Sequence, residues 1–250
     1  MSIQFVKYIV LVGAILSWGF SIQTFAQKVS LTGNTSNIML KKDLSAKLDL
    51  DTISIRKFLY GIGAVEDLQG EVLIVNGKPI VSELDKNRNP VWTETWDRKL
   101  IFLVSAPVQN WKKIKIDRPV ANRKEFEAIV FEYAQKEGLD VENGFPFRVK
   151  LIVKEIQAHI AYLRPETAQN FSPHGKKADD FPIDLENEPV RIIGFAGKTA
   201  GGRFAMPAMP GREASSLHMH FISLDFSRSG HVEDLKIEAI WQLCLPDKNF

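Results

Sequence analysis

"SLHMHFISLDFSRSGHV" (residues 216–232) holds three of the chain's five histidines, His218, His220 and His231, within fourteen residues. Alternation along a strand turns His218 and His220 to the same face, about 7 Å apart by the rise per residue. Asp225, Ser227 and Gly230 are turn residues, so the chain can double back and open a second strand with His231 beside the first pair. Three neutral imidazoles with coordination positions left open for water or substrate are the donor set of a catalytic zinc. The spacing alone serves an enzyme and a metal-holding binding module equally well.

The remaining sequence reads as strands around this segment. "GEVLIVNGKPIV" (70–81) is a hairpin, because Asn76-Gly77 separates two apolar runs and this dipeptide supplies the positive φ angles of a two-residue turn. "RKLIFLVSAPV" (98–108) and "PVRIIGFAG" (189–197) are strands, with a bent strand around Trp92 and Trp96. "FPFRVKLIVKEIQAHIAYL" (145–163) is one long strand or two joined by a kink. The clearest helix is "ANRKEFEAIVFEYAQKEG" (121–138). Asn122 caps it, Glu125 closes the capping box, Phe126, Ile129, Val130 and Tyr133 form the apolar stripe, and Gly138 ends it. A short helix is expected over 51–60, ended by Gly61. Residues 164–187 read as a surface loop, and the Gly- and Pro-rich 198–214 excludes regular structure.

The N-terminal segment and the composition restrict function. "MSIQFVKYIVLVGAILSWGFSIQTFAQ" has one positive charge, Lys7, an apolar run from Tyr8 to Phe20 and a small residue at Ala26. That is the pattern of a secretory signal peptide over 1–26. The run is short for a membrane span of about 20 residues, so export with cleavage is expected and stable membrane association is not. Residues 27–47 read as a flexible leader before a domain over 48–250. A net charge of +2 without a long basic block gives no electrostatic case for nucleic acid, so the expected partner is a small molecule. Cys244 is the single cysteine, which excludes an intramolecular disulfide, and its apolar surroundings make it a small buried side chain.

"LHMHFISLDFSRSGHV" is similar to the signature of alpha-acetolactate decarboxylases, a His-x-His-Phe-x-Ser segment closed by Gly-His-Val. "LDTISIRKFLYGIGAVEDLQGEVLIVNGKPI" resembles that family's N-terminal block, and "GFPFRVKLIV" resembles its central strand bearing an Arg. Order and spacing agree over about 48–246. The resemblance implies an α+β fold, a two-part mixed β-sheet architecture with few helices and the metal site between the halves, here about 48–140 and 141–250. It implies a zinc-dependent decarboxylase that converts 2-acetolactate to acetoin and carbon dioxide. His218, His220 and His231 would hold Zn2+, Glu71 would face the metal from the other half, and Arg148 would meet the substrate. Ala64 stands where the family has Thr, and the family's acidic C-terminal tail has no counterpart after Pro246. These departures keep two alternatives open: action on another keto or hydroxy acid, and non-catalytic binding of a small acid. The oligomeric state, with a homodimer among the options, is not fixed by the sequence.

Overall fold

A computed structural model describes residues 29–164 and 179–247. The expected signal peptide, 1–26, lies outside the described residues. The elements are β1 (Ser30–Thr32), α1 (Thr35–Lys41), β2 (Leu48–Asp49), β3 (Leu59–Val65), β4 (Gly70–Val75), β5 (Lys78–Leu84), β6 (Pro90–Glu94), β7 (Lys99–Pro107), β8 (Trp111–Ile116), α2 (Arg123–Lys136), β9 (Phe145–Ile160), β10 (Phe181–Ala196), β11 (Leu217–Ser223), β12 (Ser229–Lys236) and β13 (Trp241–Pro246).

The strands form two antiparallel sheets. The first has the order β1-β7-β3-β4-β5-β6, with β2 also paired to β7. The Asn76-Gly77 hairpin links β4 and β5, and both turn residues have positive φ, 53° and 79°. In the second sheet β9 pairs with β10, β10 with β11 and β11 with β12, and β12 returns to β9, so these four strands close on themselves. β13 and β8 extend the sheet from the other part of β9. The alternation of β9 explains the arrangement. Phe147, Val149, Leu151, Val153, Ile156 and Ala158 are buried in the core of the second sheet. Helix α2 adds Phe126, Ile129 and Val130 to that core, with Phe126 against Phe147 and Trp241. As the sequence predicts, the Asn122 side chain accepts from the Glu125 N–H; Glu125 reaches back to the N–H of Ala121.

A second apolar layer lies between the sheets, where Tyr60, Ile62, Leu73, Phe102 and Val104 meet Ile193, Phe195 and Ile222. The outer face of the first sheet is covered by the 3-10 turn Leu50–Ile53 and by Trp96.

Four expectations need correction. Residues 27–47 are not a flexible leader from Val29 onward: β1 pairs with β7, and α1, capped by Asn34, buries Ile38 between the sheets. Seven helical residues are too few to show a convincing apolar stripe in the sequence. The helix expected over 51–60 shrinks to one 3-10 turn, because Ile55 is 89% exposed, Phe58 has φ 56° and Leu59 already begins β3. The end of the expected loop at 164–187 is strand, since Ile183 and Leu185 alternate inward opposite β9. The division near residue 140 moves back to the 107–111 connection. β8 pairs with β13 through the alternating Ile114 and Ile116, and α2 packs on the second sheet.

Candidate metal centre

The histidines stand on the outer face of the closed strands, toward the first sheet. On β11, Leu217, Met219 and Phe221 point into the core, which leaves His218, His220 and Ile222 facing the layer between the sheets. The tight turn around Asp225, whose carboxylate accepts from the Ser223 and Ser227 hydroxyls, returns the chain into β12. His220 and His231 thereby become direct cross-strand partners. The ring centroids are 5.2 Å apart for His218–His220, 4.8 Å for His218–His231 and 5.5 Å for His220–His231. One nitrogen from each of the three lies within 4.8 Å of the others.

Each ring is held differently. His218 stacks on Phe102 of the first sheet, and its Nδ1 donates to the Phe204 carbonyl at 2.5 Å. That bond fixes the tautomer and turns the Nε2 lone pair inward, 3.0 Å from His231 Nδ1. His220 is fully buried, and among the described residues neither ring nitrogen makes a well-formed hydrogen bond, the Val72 backbone offering only a weak one. A neutral imidazole carries one N–H and one lone pair, and a buried lone pair without a partner costs stability unless something accepts it, so this donor set fits a metal ion. Burial favours the neutral form of all three rings, with the His218 value lowered to about 4 and those of His220 and His231 lowered well below the ordinary 6.5. Neutral imidazole is the form that ligates a metal.

Glu71 comes from β4 of the first sheet. Its Oε2 lies 3.5 Å from His220 Nε2, and the side chain is 7% exposed. Burial, then the nearby charges of Asp180 and Glu233, push its carboxyl well above the ordinary range; the Ala161 N–H acts in the opposite sense. The sequence-predicted Glu71, His218, His220 and His231 therefore come together. Arg148 does not join them. Cys244, Arg148, Ile193, His220, His231 and His159 are successive cross-strand partners, which sets Arg148 and His220 two strands apart, about 10 Å. The Arg148 guanidinium lies over the Trp111 ring at 5.1 Å and 3.5 Å from the Tyr60 hydroxyl.

Two groups at the cluster were missed by the sequence reading. His159 has its ring 5.0 Å from that of His231. Glu233 Oε1 lies 3.5 Å from His159 Nδ1 and 3.9 Å from His231 Nε2. For Glu233 a signal was present, because two residues beyond His231 on one strand is the same face. For His159 the signal was weaker, since only the closure of β12 onto β9 brings it to the others.

A family model described as alpha-acetolactate decarboxylase matches residues 34–243. An alpha-acetolactate decarboxylase of Lactococcus lactis subsp. cremoris is 26% identical over 199 residues, covering 78% of this chain and 76% of the relative. Among solved structures, alpha-acetolactate decarboxylase from Bacillus subtilis strain 168 superposes with a TM-score of 0.63 at 17% identity, over 88% of this chain and 85% of the other. Acetolactate decarboxylase from Bacillus subtilis subspecies spizizenii gives 0.66 at 18% identity, over 88% and 86%.

Proposed function

Because the chain belongs to the alpha-acetolactate decarboxylase family, we propose that it is a zinc-dependent enzyme converting 2-acetolactate to acetoin and carbon dioxide. The observation that carries this reading is the fully buried His220, whose two nitrogens lack well-formed hydrogen bonds beside His218, His231 and the Glu71 carboxyl. His218, His220 and His231 would hold the ion. Zinc bound by three neutral ligands supplies Lewis-acid polarisation of the substrate's oxygens.

The protein's own groups have separate tasks. Glu71 would hold a proton and deliver it to the carbon that loses carbon dioxide. Its raised affinity for protons, from burial and from the Asp180 and Glu233 charges, suits that role. The Phe204 carbonyl orients His218, and Phe102 shields the ring from water. Arg148 is assigned to the substrate's carboxylate as it enters. The cation has a planar set of donors and no acidic partner among the described residues in its immediate contacts. Export through the N-terminal segment and action on a small molecule complete the proposal. The test is purified protein assayed for metal content and for acetoin from acetolactate. Stoichiometric zinc with acetoin supports it, and zinc with tight acid binding but no product would favour a binding protein instead.

A further inference from the structure

Glu71 and the histidines belong to different sheets, so their spacing depends on how the sheets are registered. In the first sheet Ala64, Glu71, Ser82 and Trp92 are successive cross-strand partners and share the face toward the second sheet. Glu71 reaches His220, and its neighbours Ser82 and Trp92 both reach one residue of β12. The Ser82 hydroxyl donates to the Ser229 carbonyl at 3.0 Å and lies 2.6 Å from the Ser229 hydroxyl. The Trp92 indole N–H donates to the same carbonyl at 2.8 Å. Ser82 and Ser229 are 0% and 1% exposed. Ser229 precedes His231 by two residues and pairs with Ile222 on β11, in the ladder that pairs His220 with His231.

We infer that Ser82 and Trp92 are positioning residues, a latch on Ser229 that fixes β12 against the first sheet and so sets the distance from Glu71 to the histidine cluster. The apolar contacts between the sheets are non-directional, whereas hydrogen bonds are directional and weaken steeply when misaligned. The network satisfies itself. With Ser82 donating to the carbonyl, the Ser229 hydroxyl donates to Ser82 Oγ, and the carbonyl accepts twice. Glu71 and Ser82 have Cβ atoms about 5 Å apart as direct partners, so a shift of the latch is transmitted to the carboxylate almost undiminished. The inference rests on the proposed metal site for its functional meaning, and on the two rows of partners for its geometry.

The test uses the full chain with Ser82→Ala and Trp92→Phe, singly and together. Phe126→Leu, in the core of the second sheet, serves as a destabilised control remote from the latch. Cobalt(II) affinity, by competition with a chromophoric chelator, should fall about 10- to 100-fold in the double variant, the scale for losing a group that orients a metal's surroundings. The visible cobalt spectrum should change, and the Phe126→Leu protein should keep the affinity and spectrum of the wild type. Double-variant affinity within twofold of wild type, or an equal loss in Phe126→Leu, overturns the latch. Wild-type protein that takes up no cobalt would instead overturn the metal reading. The latch is then judged from a crystal structure of the double variant without metal: a Glu71–His220 separation still at 3.5 Å refutes it, and a widened one supports it.

Discussion

Replacing His220 with Leu should make the metal-free protein more stable and abolish its stabilisation by metal. The imidazole is fully buried, and neither nitrogen makes a well-formed hydrogen bond among the described residues. A buried polar group left unsatisfied costs about 1–3 kcal/mol. Leucine is close to histidine in volume, so the substitution removes that cost with little added cavity or strain. The carboxyl of Glu71, the neighbour left behind, is biased toward its neutral form by burial and by the charges of Asp180 and Glu233, so little counter-charge is lost with the imidazole. For a domain of this size, 1 kcal/mol moves the melting temperature by about 2–4 °C, which gives a rise of about 2–12 °C without metal. Zinc at a hundred times its Kd stabilises the wild type by about 2.7 kcal/mol, or about 5–11 °C, and should do nothing for the variant. Calorimetric scans in chelator and in zinc measure both arms. A His220→Leu protein that melts below the wild type in chelator would refute the reasoning, because the nitrogens would then be satisfied in the native state.

Metal-free stability should fall as the pH drops from 6.5 to 4. His218 stays neutral in the folded protein down to about 4, against 6.5 when unfolded, so unfolding takes up a proton across that window. At about 1.4 kcal/mol per pH unit this residue alone removes about 3 kcal/mol, and His220 and His231 act in the same direction. Glu71 has the opposite sign, since the folded carboxyl keeps its proton to higher pH than the unfolded one, which subtracts stability above its ordinary value of 4.5; urea midpoints against pH in chelator read the balance, and a midpoint that rises between pH 6 and 4.5 would contradict it. Glu71→Gln should abolish nearly all acetoin formation while zinc content persists, and retained turnover would remove Glu71 from proton delivery. Arg148→Ala should raise KM more than it lowers kcat, given its distance from the cluster, and an unchanged KM would take Arg148 out of substrate binding. Intact-mass analysis of exported protein should find a chain beginning at Gln27; Met1 retained in the membrane fraction would make the segment an anchor.

The histidine cluster was legible because its information is local. His-x-His on one strand, a turn and a third His need only the period of two and the Asp225 turn to converge. Helix α2 and the Asn76-Gly77 hairpin were legible for the same reason. What failed depended on distant partners. The α1 stripe means nothing until its Thr35 hydroxyl meets the Ala205 carbonyl, and 181–187 becomes strand only because β9 is long enough to pair with it. His159 joins the site through closure of β12 onto β9, a ring that no single segment encodes. Arg148, which the resemblance assigns to the substrate, is two strands from His220 in the same row of cross-strand partners, a spacing that only the register reveals.

The contacts of the first helix also have a consequence in time. The Thr35 hydroxyl donates to Ala205, while the N–H groups of Thr35 and Ser36 donate to Arg203 and Gly202, around the same turn whose Phe204 carbonyl steadies His218. A chain made from its N-terminus at about 5–20 residues per second presents Lys41 about 8–33 s before Ala205, since 164 residues separate them. During that interval α1 has no docking site, and seven residues are too few for a helix to persist alone in water. The brace behind His218 is therefore closed by a segment that must wait for a partner made long after it. Pulse-labelled hydrogen exchange during refolding should find the Thr35 and Ser36 amides protected later than those of α2, and simultaneous protection would show that the two ends meet before the core of the second sheet has formed.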